Sequence, residues 1–150
     1  MKRKILILAL MVIVPISCLV WAASSVTETW SRPASDVDVV NLSWIADATT
    51  GVFTTYEIKR GLDGWIAMVV TNPGDTAPLA NYDIAIKDSD GVDIMGGSLS
   101  NRSATATEQA VPTLMSGAYG PRFVEGLITV EISGTTVAAA TGEIIIYISR

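Results

Sequence analysis

Four aspartates, Asp83, Asp88, Asp90 and Asp93, fall within eleven consecutive positions, with Asp88-Ser89-Asp90-Gly91 in the middle of the run. Carboxylates this close together serve cation binding, acid–base work, or simply the capping of a bend. Calcium takes six to eight oxygens at about 2.3–2.6 Å, and Asp88, Asp90 and Asp93 offer three side chains from one bend. The EF-hand spacing is not met. Counted from Asp88, the sixth position is Asp93 instead of glycine and the twelfth is Leu99 instead of glutamate. Short Asx side chains also accept hydrogen bonds from the backbone of their own turn, and glycine takes the left-handed corner. A hairpin turn is therefore the first expectation here, and a calcium site at Asp88, Asp90 and Asp93 the alternative.

Other chemistry is limited by inventory. There is no histidine, so the usual general base near neutral pH and the commonest zinc ligand are missing. Ser-His-Asp catalysis is excluded on the same ground. Two carboxylates suffice for glycoside hydrolysis, but fifteen Asp/Glu residues supply pairs by chance. Asp75-Thr76-Ala77 lacks the glycine of an aspartic-protease Asp-Thr/Ser-Gly motif. No catalytic residue is assigned, no cofactor is expected beyond the calcium alternative, and the chain is read as a non-enzyme.

Aromatic side chains are the other candidates for ligand contact. Trp44, Trp65 and Tyr82 sit among aliphatic residues in strand-like runs and are expected in the core. Trp30 and Tyr119 fall in polar or Gly/Pro-rich stretches and are the better surface contacts. Asn101 and Arg102 join them as polar groups in an otherwise apolar β protein. Arg102 paired with Glu108 would pin an irregular loop over one end of the fold.

These residues must be held by something, and the chain divides plainly. Lys2, Arg3 and Lys4 precede an almost uninterrupted apolar run from Ile5 to Ala23. Residues 1–22 therefore read as a secretory signal, with cleavage after Ala22, or as a retained signal anchor, since about 20 apolar residues span a bilayer. Membrane contact is expected only through residues 5–23. Cys18, the sole cysteine, lies in this segment, so the exported part has no disulfide. The Pro15-Ile16-Ser17 preceding it fits a lipoprotein signal poorly. Residues 23–150 carry seven Lys/Arg (the ten less Lys2, Arg3 and Lys4) against all fifteen Asp/Glu, a net charge of −8. Such a surface repels phosphate backbones, so no nucleic acid is expected as partner.

Residues 23–35 are polar, contain Pro33, and read as a linker. From residue 36 the period is two. Val40, Leu42, Trp44 and Ala46 alternate with polar residues as a half-buried strand. "VFTTYEIKR", from Val52 to Arg60, resumes β-branched and aromatic character after a break. "LDG" at Leu62 to Gly64 signals a tight turn. "WIAMVVT" from Trp65 is apolar on both faces and belongs in the middle of a sheet. Tyr82, Ile84 and Ile86 share a face, the aspartate bend follows, and Val92 and Ile94 return to the core. Ser103–Ala110 has the composition of one short helix. "SGAYGPRF" is a loop, and "LITVEIS" and "EIIIYIS" are the last two strands. About seven strands without crossover helices predict an all-β, antiparallel β-sandwich of jelly-roll or Ig-like kind over residues 36–150, preceded by an N-terminal hydrophobic helix.

Tyr82-Asp83, Asp90-Gly91-Val92-Asp93, Gly96-Gly97, Asn101-Arg102 and Glu108-Gln109, followed by a terminal strand pair, resemble a group of small β-rich proteins encoded in phage and prophage genomes. The resemblance covers about Val26 to Arg150 and does not extend to the hydrophobic leader. It implies a virion-associated structural or attachment role and carries over no catalytic residues. The expected function is thus a non-enzymatic interaction module, an accessory of a phage-like particle acting by docking or self-association. Loops 72–80, 97–111 and 117–122, or free sheet edges, would make its contacts. The alternative is an exported or membrane-anchored envelope protein that binds glycan or calcium.

Overall fold

Alternating inward and outward side chains build a sheet from the first described residues onward. The computed structural model describes residues 22–150. The expected signal or anchor segment, residues 1–22, with Cys18 and the expected hydrophobic helix, lies outside them but for Ala22. Among the described residues no helix is long and apolar enough to cross a membrane.

The architecture is all-β, with every strand pair antiparallel. The described residues form nine strands: β1 (Ser25–Ala34), β2 (Val37–Ile45), β3 (Tyr56–Glu57), β4 (Leu62–Pro73), β5 (Asp83–Lys87), β6 (Glu108–Ala110), β7 (Arg122–Gly126), β8 (Thr129–Ser133) and β9 (Thr141–Ser149). One sheet has the order β1-β2-β9-β4-β6, with β7 also pairing β4; the other has the order β3-β8-β5. Val40, Leu42 and Trp44 of β2, Ile144, Ile146 and Ile148 of β9, and Ile66 and Val69 of β4 are buried. They form one apolar cluster with Ile84 and Ile86 of β5 and Val130 and Ile132 of β8. Burial of this apolar area is the main favourable term holding the disulfide-free chain together.

Several expectations need correcting. Residues 23–35 are not a linker: Ser25–Ala34 is an edge strand paired with β2. Its outward positions are Ser and Thr, which hid the alternation, whereas Val26 and Trp30 pack inward against the core. The edge tolerates Pro33 because the register shifts between Ser31 and Ala34. Leu62-Asp63-Gly64 is no turn; it opens β4. Gly64 is required there because a Cβ would come within 2.5 Å of the Ser149 carbonyl oxygen. Ser103–Ala110 is not helical. Ser103 Oγ accepts the Thr105 and Ala106 N–H groups, and Glu108–Ala110 pairs with Val69–Thr71 of β4. The loop read at 117–122 gives way at Arg122 to β7. Strand composition around Phe53 yields only the two paired residues of β3.

Candidate functional site

The aspartate bend forms as a turn. Gly91 N–H donates to the Asp88 carbonyl at 3.0 Å with Gly91 at φ +79°, and Asp88 Oδ1 accepts from the Asp90 and Val92 N–H groups. Asp93 caps the next bend, with Oδ1 on Met95 N–H at 3.0 Å and Oδ2 on Gly97 N–H at 2.7 Å. Ile94 enters the core, but Val92 stays 46% exposed, contrary to expectation. Asp88, Asp90 and Asp93 are not brought together as a cation site; among the described residues no three acidic, His or Cys side chains are grouped to hold a metal. Asp83 Oδ1 accepts from Asn101 N–H at 2.8 Å, which ties the run to the loop that follows.

Asn101 sits in the left-handed region at φ +56°. Arg102 N–H donates to the Tyr82 carbonyl at 2.7 Å, and its guanidinium reaches the Ser100 carbonyl and, at 3.6 Å, the Glu108 carboxylate. Glu108 Oε2 also accepts Ser103 N–H at 2.7 Å. The Arg102–Glu108 pair therefore pins the loop as its spacing predicts. Burial pushes the Tyr82 phenol up to about 12, with Arg102 opposing and Glu108 adding to the shift.

Trp30 lies in β1 and not in a loop. Its Nε1 donates to Glu28 Oε1 at 2.6 Å, and Glu28 Oε2 accepts from the Tyr56 hydroxyl and from Lys59 N–H. Arg60 covers the Trp30 ring at 4.7 Å from its centroid. The Trp30 face is thus already occupied from within the chain. Trp44 and Tyr82 are core residues as expected, but Trp65 is 47% exposed on the outward face of β4.

Two grooves contain more than one acid. Asp75 and Glu143 line one, beside Pro73 and Thr141; Glu57, Asp88 and Glu131 line another, where Lys87 Nζ pairs with Glu131 at 2.6 Å. None of these acids is buried.

Tyr119 stands where two of the expected contact loops converge. A cleft of about 670 Å³ has Gly96, Gly97 and Ser98 on one side and Gln109–Val111 with Thr113 on the other, and Tyr119 lines it too. The 112–120 segment is held by Thr113 N–H to the Met95 carbonyl, Leu114 N–H to the Ala118 carbonyl and Gly120 N–H to the Pro112 carbonyl. Gly96, at φ +60°, allows the Thr113 carbonyl to approach closer than any Cβ would permit. Gly96→Ala is expected to cost about 1–2 kcal/mol from the left-handed backbone and the displaced carbonyl. Faster hydrogen exchange at the Thr113 amide, with little change at β9, would be the sign of it. The sequence singled out Tyr119 and Gln109 but not Ser98, and that these line one cleft depends on which loops meet.

No family model, curated protein or solved structure matches this chain.

Proposed function

We propose that the exported part is a non-enzymatic β-sandwich module that docks to copies of itself as an accessory component of a phage-like particle. The observation that carries this reading is the outward face of the six-stranded sheet. Its register aligns Val39, Tyr147 and Met68 in one row and Asn41, Ile145 and Val70 in the next, all of them half-buried. Trp65 and Phe123 extend the patch in an edge-to-face pair at 5.5 Å, each about half exposed. Exposed apolar patches rimmed by polar residues mark contact surfaces, and aromatic anchors dominate their energetics. Ser43, Asn72 and Glu143 form the polar rim at one end, and Asp63 and Glu125 lie at the other.

A second copy is the occupant this face favours. Copies carrying a net charge of −8 repel one another unless the contact excludes charge, and the rows at the centre of this face carry none. The two-sheet core supports the sandwich architecture, and the resemblance of the Tyr82–Gln109 stretch supports the particle setting. In light scattering the purified protein is expected to self-associate with concentration. Trp65→Glu is expected to reduce the associated fraction by about tenfold or more without unfolding the chain. Mass spectrometry of the native product with its partners is expected to find it beside capsid or tail proteins. A wild-type protein that stays monomeric at about 1 mM, where even a weak contact of about −4 kcal/mol would register, defeats the self-docking reading.

A further inference from the structure

The cleft beside Tyr119 differs chemically from three other grooves of the surface, each of which is lined by charged side chains. Residues 23–150 are strongly acidic, yet among the described residues no carboxylate, ammonium or guanidinium group lines this cleft. Its polar groups are neutral: the Gln109 amide and the Thr113 and Ser98 hydroxyls. Ser98 Oγ is buried with no hydrogen-bond partner among the described residues. Tyr119 is 76% exposed, so its ring face is available. An exposed tyrosine offers an apolar plane with a polar edge. The volume is in the range of small-molecule sites, where a few placed polar groups fix orientation.

We propose that this cleft binds a neutral saccharide. The flat C–H face of a pyranose ring would lie on Tyr119, and its hydroxyls would exchange hydrogen bonds with Gln109, Thr113 and, after a small rotation, Ser98. The charge-free lining disfavours nucleotides and acidic sugars, which the acidic surface also repels. An apolar ligand would leave the amide and hydroxyls unpaired. The walls are already ordered by the Thr113–Met95 and Gly120–Pro112 hydrogen bonds and by Asp93 capping Gly97, so binding costs little ordering entropy. This proposal stands on residues other than the self-docking anchors, because Trp65 and Phe123 line no part of the cleft.

The test is saturation-transfer NMR on the full chain with cellobiose, maltose, lactose and N,N′-diacetylchitobiose, and with digalacturonate as the charged control. At least one neutral disaccharide is expected to bind with a Kd of about 1 mM. Tyr119→Ala should weaken it by about tenfold or more and Gln109→Ala by about three- to tenfold. Thermal unfolding should be unchanged in both, because both side chains are exposed. Trp65→Glu should leave binding unaltered. The proposal is overturned if none of the neutral disaccharides binds at about 10 mM, if binding survives Tyr119→Ala, or if digalacturonate binds best. It is also overturned if the cleft instead takes an extended peptide along the β6 edge with no dependence on Tyr119.

Discussion

Trp44→Ala is expected to lower stability by about 3–5 kcal/mol, the usual cost of truncating a fully buried large aromatic. For a domain of this size that corresponds to roughly 10–20 °C in melting temperature. Trp44 is 2% exposed, and its ring meets Phe53 edge-on at 5.9 Å and Tyr82 at 6.2 Å. It starts on β2, crosses over β9 and reaches the residue that precedes β5, so it joins the two sheets. Gly142 of β9 makes room for it: a Cβ there would stand 2.7 Å from the indole Cζ2. Gly142→Ala is therefore destabilising in the wild type and should be much less so in a Trp44→Phe background. A double-mutant cycle with a coupling energy of about 1 kcal/mol or more checks the contact itself. A Trp44→Ala protein that melts within a few degrees of wild type would show that this ring is not the joint between the two sheets.

Asp38→Ala is expected to cost about 2 kcal/mol at neutral pH. Asp38 is 4% exposed on the inward face of β2. Arg32 Nε donates to its Oδ1 at 2.6 Å, and Arg150 Nε to its Oδ2 at 2.8 Å. The carboxylate thus ties edge strand β1 and the end of β9 to β2. Truncation leaves two guanidinium groups, but both are nearly half exposed and recover solvent, which keeps the loss below that of a fully enclosed pair. The Arg32 hydrogen bond, with Arg150 adding to it against the opposing effect of burial, holds the Asp38 pKa down at about 2 against an ordinary 3.8. A depressed carboxylate pKa stabilises the fold above the unfolded value and loses that contribution as pH falls through the folded one. The contribution is therefore complete above about pH 4 and fades between about pH 4 and pH 2. Urea midpoints of wild type and Asp38→Asn should differ clearly at neutral pH and converge as the solution is acidified through that window. A gap that stays constant over the whole range would remove the ion pair as its source.

Where one residue's neighbours in sequence were also its neighbours in space, its role was readable. The bend at Asp88–Gly91 and the alternation of Tyr82, Ile84 and Ile86 are of this kind. So is the Arg102–Glu108 pair, which ties the loop after Asn101 to the start of β6. Trp65 was misread because a run apolar on both faces looks the same whether its second face meets another layer or, as here, remains outward. Trp30 was misread because polar outward residues on an edge strand imitate a linker. The Tyr119 cleft was half legible: the loops were named, but their meeting at Gly96 and Thr113 was not.

Period-two patterning by itself determined that this chain is antiparallel β and which face of β2 and β5 turns inward. Composition alone determined that the acidic residues 23–150 lack histidine and thiol chemistry. Only the tertiary structure decided that consecutive strands such as β8 and β9 join different sheets, that Leu62-Asp63-Gly64 starts a strand, and that a charge-free cleft forms beside Tyr119. The reason is that alternation is a local property of the backbone, whereas the ladder hydrogen bonds that assign a partner are alike for every strand. The choice among partners falls to contacts distant in sequence, such as Trp44 against Gly142 and Asp38 against Arg150.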